Sequence, residues 1–238
     1  MSEIGNFVHL THADAIDVVS TVGWLAGAPE DFRQALLARS SVKHVHHDEP
    51  IYRIEEPTGG IYGVASGGVR IEVATNERGP SVIHFAGAGF WGGFGPVVAN
   101  TARLAGIKAS GQATVLHISQ HDYAALAAAD PFAWRWAAQC LLWSLSISLG
   151  VIDDMMIRSS RRRTIALLLR LAGYRCAEPG FKASSVALTQ DELGQIANLS
   201  RSHLSTILRD LEGEGFITCS YRGIAIRDAA ALLARLGE

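Results

Sequence analysis

The stretch "LTQDELGQIANLSRSHLSTILRDLEGEGFI", residues 188–217, contains the local signals of two short helices joined by a tight turn. Thr189 and Glu192 have the spacing of a capping box, in which each side chain accepts a hydrogen bond from the other residue's backbone N–H at a helix start. Asn198 tolerates the left-handed conformation that a sharp turn needs, and Ser200 can cap a second helix. Together these signals predict a helix-turn-helix.

The second helix of this stretch has two chemically different faces. Apolar residues recur at i, i+3, i+4 and i+7, which indicates a face that packs on a core: Leu204, Ile207, Leu208 and Leu211. The opposite face is polar: Arg201, Ser202, Ser205, Thr206 and Arg209. Arginine can donate two hydrogen bonds to a guanine edge, and small serines let a helix approach the major groove closely.

The residues after the second helix predict a wing. "FITCSY" and "IAIRD" read as two strands, with a turn at Arg222 and Gly223 between them. A helix-turn-helix followed by a wing favours DNA binding over an ordinary helical hairpin with a solvated outer face, although that alternative stays open.

Charge is distributed unevenly along the chain. Residues 1–158 hold 10 lysines and arginines against 15 aspartates and glutamates, a net charge of −5, whereas residues 159–238 hold 11 against 8, a net charge of +3. A polyanion would meet the C-terminal part more favourably. The surplus is also compatible with an ordinary solvated surface, so it supports the DNA-binding prediction without deciding it.

The N-terminal part contains β-rich runs separated by turn clusters such as "EPTGG" and "NERGP". After a helix predicted at "PEDFRQALLARS" the runs are "SVKHVHH", "PIYRI", "GIYGVAS", "GVRIEVAT", "SVIHFAG" and "GIKASGQATVLHIS". Many short strands without intervening helices favour an antiparallel sandwich or barrel. A helix is predicted next at "QHDYAALAAAD".

The run "WAAQCLLWSLSISLGVI", residues 136–152, contains 17 uncharged residues. As a helix it would be about 25 Å long, shorter than the roughly 30 Å hydrocarbon core of a membrane. It also carries Gln139 and three serines. We therefore expect a soluble helix that packs on its own domain and on a partner subunit. A further helix is predicted at "SSRRRTIALLLRLAGY", ending at Gly173.

The glycine run "GAGFWGG", residues 87–93, spells G-x-G-x-x-G. A dinucleotide site would need an amphipathic helix after the run and an acidic residue about 20 positions further on. Gly95 and Pro96 follow instead, and no aspartate or glutamate occurs between Glu77 and Asp122. The run is therefore not expected to bind a dinucleotide.

Two other classes of protein are disfavoured. Cys140, Cys176 and Cys219 lie far apart without a C-x-x-C pair, which indicates neither a disulfide framework nor a zinc ribbon. The N-terminal stretch "MSEIGNFVHLTHADAID" has neither a basic start nor a long apolar run, so no secretory signal is predicted. We expect a cytoplasmic protein without a membrane partner.

Two further groups of residues are candidates for sensor chemistry. "KHVHHDE" places His44 and His46 on one face of a predicted strand and His47 on the other, close to Asp48 and Glu49. A metal needs three or four ligands and only two imidazoles share a face, so no cofactor is predicted and a metal or haem sensor stays an alternative. Three tryptophans of the long helix could line an apolar effector pocket, although core and interface packing is favoured: Trp134, Trp136 and Trp143.

From residue 29 to 238 the chain resembles the cyclic-AMP receptor protein and fumarate-nitrate regulator (CRP/FNR) family of bacterial transcription factors. "DELGQIANLSRSHLSTILRDLEGEGFI" is the most specific part of the resemblance. The resemblance implies an α+β fold: an antiparallel, cyclic-nucleotide-binding-like β-roll in residues 1–129, a dimerisation helix in 130–158 and a winged helix-turn-helix in 159–238. It also implies a homodimer that binds a near-palindromic double-stranded DNA site and contacts RNA polymerase.

Roles for individual residues in DNA binding follow from the same resemblance. Arg201 matches an arginine that reads a base, whereas Ser202 stands where a glutamate is frequent, so the operator of familiar members should not be carried over. Thr189, Ser200 and Arg222 match positions that touch phosphates. Ser205, Thr206 and Arg209 fall on the same recognition surface.

The glycine run also matches the family's phosphate-binding cassette, with departures. Members that bind cyclic nucleotides resemble G-E-x-x-x with R-S ten residues beyond the glutamate. The candidate pocket residues are Trp91, Gly92, Gly93, Arg103, Leu104 and Ser148. Here Gly92 and Arg103 are kept, but Gly93 replaces the glutamate and Leu104 the serine. Trp91 and Leu104 should make the pocket more apolar, and Ser148 falls where binders of cyclic AMP carry a hydroxyl.

We therefore predict a sequence-specific DNA-binding regulator that responds poorly to cyclic AMP. Its activity is controlled either by an unknown small molecule or, without a ligand, by its own abundance. An enzyme using the β-roll is disfavoured, because no convincing nucleophile, base and orienting group is evident.

Overall fold

The computed structural model describes residues 9–57, 59–74, 79–175, 183–220 and 223–237. The chain divides into two compact units: unit 1 comprises Met1–Ala74 and Phe85–Leu141, and unit 2 comprises Thr75–His84 and Leu142–Glu238. One strand and the long helix each continue from one unit into the other.

Unit 1 begins with three helical segments. They are α1 (His12–Thr21), a 3-10 turn (Trp24–Gly27) and α2 (Glu30–Leu37). Helix α2 is the first predicted helix, whereas α1 was not predicted. Thr11 starts α1 with a capping box, since its hydroxyl accepts a hydrogen bond from the Asp14 amide at 3.2 Å.

Eight strands and two short helices follow the α2 helix. They are β1 (Ser41–Val45), β2 (Pro50–Tyr52), β3 (Ile61–Ser66), β4 (Val69–Val73), β5 (Ser81–Ala86), β6 (Trp91–Gly92), α3 (Phe94–Ala99), β7 (Ala105–Ala109), β8 (Ala113–Ile118) and α4 (Gln120–Ala129). One sheet has the strand order β1-β8-β3-β6 and the other has the order β2-β7-β4-β5. The described strand pairs β1–β8, β2–β7, β3–β6, β3–β8 and β4–β7 are antiparallel. The predicted antiparallel β domain is confirmed.

The inner faces of the two sheets meet over small and branched residues. Val45 and Ala113 of one sheet pack with Ala109 and Ile51 of the other. Successive side chains of a strand point to opposite faces of the sheet, so each strand contributes every second residue to this core. The core of unit 1 therefore lies between the sheets.

One local prediction in this unit is wrong, and one short helix was not predicted. Strand β1 ends at Val45, so His46 and His47 lie beyond it and do not share strand faces with His44. A helix also follows the glycine run, since α3 begins at Phe94, although it has only six residues. Apolar character rather than amphipathic periodicity marks α3, which is why the sequence pattern missed it.

The long helix is α5 (Ala133–Met156). By length and composition alone it could cross a membrane, a test that core helices of soluble proteins also meet. Its first turns pack in unit 1: Trp136 stacks on Phe32 at 5.8 Å between ring centroids, and the Tyr123 hydroxyl donates to the Ala133 carbonyl at 2.7 Å. Trp134 lies 5.7 Å from the ring of Tyr123. Packing is thus the observed role of two of the three tryptophans.

Unit 2 contains the predicted winged helix-turn-helix. Its elements are α6 (Ser160–Leu171), β9 (Ser185–Val186), α7 (Gln190–Ala197), α8 (Arg201–Gly213), β10 (Ile217–Ser220), β11 (Gly223–Ile226) and α9 (Ala229–Gly237). The strands form one sheet in the order β10-β11-β9. Gly173, with φ of 78°, follows α6 as predicted, and the Tyr174 amide donates back to the Leu169 carbonyl at 2.8 Å.

Candidate DNA-binding and effector sites

Helix α7 is anchored at its start by the predicted capping box. The Thr189 hydroxyl accepts from the Glu192 amide at 3.2 Å, and the Glu192 carboxylate accepts from the Thr189 amide at 2.8 Å. Two backbone donors that a helix start would leave without partners are thereby satisfied. The helix buries Leu193, Ile196 and Ala197 against the rest of unit 2.

The turn between α7 and α8 has the geometry that its residues predict. Asn198 is left-handed with φ of 51°, and the Leu199 amide donates to the Gly194 carbonyl at 3.0 Å. A Cβ at position 194 would lie 3.3 Å from the Leu199 carbonyl oxygen, so only glycine fits without displacement. Ser200 then caps α8 by accepting from the His203 amide at 3.4 Å.

Helix α8 separates its two faces completely. The apolar face is buried: Leu204, Ile207, Leu208 and Leu211. The polar face is exposed except for Ser205, which is partly buried: Arg201, Ser202, Ser205, Thr206 and Arg209. The structure thus brings together, on one surface of one helix, all five residues predicted to face the major groove.

Polar side chains on this face are engaged in local contacts within the chain. The side chain of Arg201 is 81% exposed, and its Nε lies 3.4 Å from Asp191 Oδ1 on α7. The Thr206 hydroxyl donates to the Ser202 carbonyl at 3.2 Å, and the Ser200 and Ser202 hydroxyls are 3.3 Å apart. An external partner would exchange these weak, solvated contacts for its own. Asp191 is the residue of this set that the sequence analysis did not name.

The wing is held close to α8 and to the short strand β9. The Cys219 amide donates to Glu212 at 2.7 Å, and the Ser220 hydroxyl donates to the Gly223 carbonyl at 2.8 Å. A Cβ on Gly223 would lie 2.6 Å from the Val186 carbonyl oxygen, which explains a glycine at the start of β11. Arg222, a predicted phosphate contact, lies outside the described residues.

The arginines at the start of α6 have structural contacts of their own. Arg161 pairs with Glu214 at 2.6 Å, and Arg162 donates to the Leu236 carbonyl at 2.6 Å. These contacts tie α6 to the end of α8 and to α9. Positive charge in this segment is therefore already used in packing unit 2.

In unit 1 Gly89 of the run packs closely against the backbone of Gly23. Gly23 and Gly89 have φ of 76° and 91°, and a Cβ on Gly23 would lie 2.0 Å from the Gly89 carbonyl oxygen. Only residues without side chains permit this approach. Backbone packing therefore explains why position 89 is a glycine.

Arg103 of the cassette has a buried side chain that lies beside Gly60, Tyr52 and Tyr62. This side chain is 3% exposed, its Nη2 donates to the Gly60 carbonyl at 2.9 Å, and its Cζ lies 3.9 Å from the ring centroid of Tyr52. Its Nε and Nη1 have no hydrogen-bond partner among the described residues. Burial raises the pKa of Tyr52 and of Tyr62, whose ring centroid is 5.7 Å from the guanidinium.

Gly93 has a backbone conformation that favours glycine, and it lies close to Arg103. It is left-handed with φ of 95°, and a Cβ there would lie 2.6 Å from the Gly60 carbonyl oxygen and 2.9 Å from Arg103 Nη1. A glutamate could not adopt this backbone without displacing its neighbours. The departure from the family's cassette is therefore built into the local fold.

The remaining predicted pocket residues do not all meet. Trp91 is buried, and a Cβ on Gly63 would lie 2.5 Å from its ring, so it packs in the core of unit 1. Leu104 is 88% exposed, whereas a side chain in the wall of an apolar pocket would be largely buried. Ser148 belongs to unit 2, where its hydroxyl donates to the Ser144 carbonyl at 2.9 Å.

Histidine side chains of unit 1 make separate contacts. His44 Nδ1 lies 3.3 Å from the Thr114 hydroxyl, His47 lies 3.4 Å from Asp48, and the His46 amide donates to Glu49 at 2.9 Å. Among the described residues no three histidine, cysteine, aspartate or glutamate side chains are grouped as a metal would require. Cys140 is buried, Cys219 is partly buried, and Cys176 lies outside the described residues.

Residues that sequence reasoning missed lie mainly beside Arg103. The ring centroids of Tyr52 and Tyr62 are 5.5 Å apart, with the rings tilted. His117 stacks on Tyr62 at 4.5 Å between ring centroids, and its Nε2 contacts the Gly59 carbonyl at 2.7 Å. Burial lowers the pKa of His117. Single aromatic residues in separate strands carry no spacing signal, so only the sheet topology places them together.

Two family models match the chain. The Crp-like helix-turn-helix domain matches residues 162–235, and the cyclic nucleotide-binding domain matches residues 42–130. The two matches do not overlap, and together they span more than half of the sequence. No curated protein matches the chain.

Several solved structures share the fold at low sequence identity. FixK2 from Bradyrhizobium japonicum aligns with a TM-score of 0.70 at 18% identity, over 82% of this chain and 96% of that one. A CRP-family transcriptional regulator from Thermus thermophilus aligns with a TM-score of 0.63 at 22% identity, over 82% and 97%. The c-di-GMP responsive global regulator CLP from Xanthomonas campestris aligns with a TM-score of 0.64 at 18% identity, over 84% and 100%.

A cyclic nucleotide-binding domain thus precedes a Crp-like helix-turn-helix domain whose recognition helix is capped, buried on one side and polar on the other. The chain belongs to the CRP/FNR family of transcriptional regulators.

Proposed function

We propose that the protein works as a homodimer that recognises a near-palindromic DNA site through α8 and the wing. The observation that carries this proposal is the polar face of α8, where Arg201 is solvent-exposed while the opposite face is wholly buried. Arg201 would read a base edge, and Ser202, Ser205, Thr206 and Arg209 would complete the surface. Thr189, Ser200 and Arg222 would contact phosphates.

An exposed apolar seam on α5 supports the dimer. Its members are each more than half exposed: Leu142, Leu145, Leu149, Ile152 and Met156. They follow one another by three and four residues alternately, which is the heptad spacing of a two-stranded coiled coil. The opposite side of the same helix is buried within unit 2 at Gly150 and Asp154. A second copy of the helix is the partner whose seam has matching shape and chemistry.

Pairing of two α5 helices would set the spacing of the DNA half-sites. Recognition helices of a two-fold dimer enter successive major grooves about 34 Å apart. Ser148 flanks the seam and would face the partner helix rather than an effector of its own unit. The three functional segments, residues 1–129, 130–158 and 159–238, would then be sensor, dimer helix and DNA-binding domain.

Weak binding of cyclic AMP follows from the cassette. Gly93 offers no carboxylate to a ribose hydroxyl, Leu104 offers no hydroxyl to a phosphate, and Arg103 is stacked on Tyr52. A native effector would be less phosphate-like, or side chains would fill the site and the protein would be controlled by its abundance. We place the protein in the cytoplasm, acting with RNA polymerase as a regulator and not as an enzyme.

Selection of DNA sites from a random pool tests the proposal. The purified protein is incubated with the pool with and without a cell metabolite extract, and Arg201→Ala is the matched control. We expect a two-fold symmetric site for the protein and a degenerate position in each half-site for the variant. Recovery of random sequences with both proteins would contradict sequence-specific binding, and enrichment that depends on the extract would separate effector control from control by abundance.

Sedimentation of the protein tests the seam. The wild type should be a dimer at micromolar concentration, and Leu149→Glu should weaken it, because a charge would enter the apolar contact. A monomeric wild type in the presence of its DNA would overturn the dimer.

A further inference from the structure

Unit 2 contains a buried polar cluster at the points where the chain passes between the units. Residues 75–84 belong to unit 2, and the next residue of β5, Phe85, belongs to unit 1. Helix α5 likewise enters unit 2 at Leu142. His84 therefore lies at the end of one connection and Asp154 lies on the other.

Arg170 of α6 joins these two connections. Its Nε donates to Asp154 Oδ2 at 2.7 Å, and its Nη1 lies 2.8 Å from His84 Nδ1. All three residues are buried. Asp154 also accepts from Arg175 at 2.6 Å, and Arg175 pairs with Asp153 at the surface. One guanidinium thus holds a strand and a helix that both continue into unit 1.

The protonation of this cluster is determined by its donors. Arginine remains charged and can only donate, so His84 Nδ1 must accept and the imidazole is neutral with its proton on Nε2. Burial and the neighbouring Arg170 lower the pKa of His84 to about 3. Arg170 Nη2 has no partner among the described residues, so loss of the His84 acceptor would leave a second guanidinium nitrogen unsatisfied.

The cluster also crosses the boundary between the two matched domains. His84 lies within the residues matched by the cyclic nucleotide-binding domain, and Arg170 within those matched by the Crp-like helix-turn-helix domain. By contacts, however, both residues belong to the same compact unit. The contacts of residues 79–84 therefore group this segment with unit 2, although β5 is also the edge strand of the sheet β2-β7-β4-β5.

We propose that His84, Asp154 and Arg170 form a coupling cluster through which movement of β5 or α5 is transmitted to α6 and hence to the DNA-binding domain. The regulatory consequence rests on the proposed function, whereas the mechanical linkage does not. Because a buried ion pair is costly to break on one side only, the cluster moves as a unit or opens as a unit. His84, Asp154 and Arg170 are positioning residues, since none of them faces the predicted DNA surface.

Hydrogen exchange measured by mass spectrometry on the full-length protein tests the linkage. His84→Leu keeps a side chain of similar size but removes the nitrogen that accepts from Arg170. His84→Asn is the matched control, because its amide oxygen can accept near the position of Nδ1. In His84→Leu we expect the amides of residues 81–86 and of α6 to exchange about tenfold faster together. In His84→Asn both segments should stay within about twofold of wild type. Faster exchange in only one of the two segments, or in neither, would overturn the coupling.

The wild type alone provides a second measurement should His84→Leu fail to fold. As denaturant is added below the unfolding transition, the amides of β5 and α6 should join the same opening reaction, with the same dependence on denaturant. Separate opening reactions would overturn the coupling without any variant.

DNA binding separates this inference from the proposed function. On the selected site His84→Leu should bind about fivefold more weakly than wild type, because a loosened α6 must be ordered again on binding, and His84→Asn should bind like wild type. If the wild type selects no site, the proposed function fails while the exchange result still decides the linkage. If His84→Leu loosens both segments but binds DNA like wild type, the transmission to DNA is overturned.

Discussion

Arg201 and Arg103 both match positions at which the family contacts a negatively charged ligand, yet their surroundings are opposite. Arg201 is 81% exposed beside one carboxylate, whereas Arg103 is 3% exposed and stacked on Tyr52. The exposed Arg201 can form hydrogen bonds with a ligand without lowering the stability of the fold. The buried arginine is part of the core of its unit, so the same residue type packs at one position and is proposed to recognise DNA at the other.

The largest expected effect concerns cyclic nucleotides at Arg103. Each lost charge-assisted hydrogen bond is worth roughly 1.5 to 3 kcal/mol, so the absence of two should weaken cyclic AMP binding by about two to four decades relative to a complete cassette. Calorimetry of the wild type checks this. A micromolar dissociation constant for cyclic AMP that is lost in Arg103→Ala would show that the buried arginine is a working ligand site.

A glutamate at position 93 sharpens the same comparison. Gly93→Glu should not restore binding, because the left-handed backbone and the Gly60 carbonyl leave no space for a Cβ. Tight binding of cyclic AMP by this variant would mean that the segment rearranges readily.

The free energy of unfolding should depend more strongly on Arg103 than on Arg201. Arg103→Ala should lower the free energy of unfolding by about 2 to 4 kcal/mol, because it leaves a cavity under Tyr52 and removes the donor to Gly60. Arg201→Ala should change it by less than about 0.5 kcal/mol. Urea unfolding followed by circular dichroism gives both values. Equal losses for the two variants would break the comparison.

Discrimination between DNA sequences should depend on Arg201, the exposed arginine, and not on Arg103. Arg201→Ala should lose roughly 1 to 3 kcal/mol of discrimination at one base pair in each half-site. Arg222→Ala should weaken all sequences alike and reduce the salt slope by about one unit, as expected of a phosphate contact. Competition binding on single-base variants of the selected site, at several salt concentrations, measures both. A uniform loss for Arg201→Ala would contradict base reading.

A third arginine, Arg170, lies beside His84, whose buried imidazole should make the stability of the protein depend on pH. The pKa of buried His84 is lowered to about 3, so between pH 6.5 and 3 the unfolded chain binds a proton that the folded chain does not. This residue should therefore reduce stability by about 1.4 kcal/mol for each pH unit as pH falls through that window. The difference between wild type and His84→Asn isolates the effect in urea unfolding at each pH. Parallel curves would mean that His84 is not buried as a neutral base.

The smallest effect concerns the partner of Arg201. Asp191→Asn should strengthen binding to every DNA sequence by about 0.3 to 1 kcal/mol, because it removes an exposed ion pair that competes with DNA and a negative charge near the phosphates. Fluorescence anisotropy with specific and random duplexes checks this. Gln190→Asn, a neutral change at the adjacent residue, serves as control.

Local signals predicted the DNA-binding half well. The capping box, the left-handed Asn198 and the buried stripe of α8 depend on contacts within about one helical turn, and each is confirmed. The predictions about the effector pocket depended on residues far apart in sequence. Leu104 is exposed, and Tyr52, Tyr62 and His117 were not anticipated, because they come together from strands of two different sheets.

The sequence by itself determined the elements whose energetics are local: helix starts, turns, apolar periodicity and the family signature carried by them. Only the tertiary structure decided which polar groups are buried and with what partners. Neither the buried Arg103 nor the link from Arg170 to His84 and Asp154 can be read from spacing, since burial depends on how sheets and helices close over a side chain. Desolvation, a property of the whole fold, makes Arg103 a structural residue, whereas Arg201 stays exposed on the predicted DNA surface.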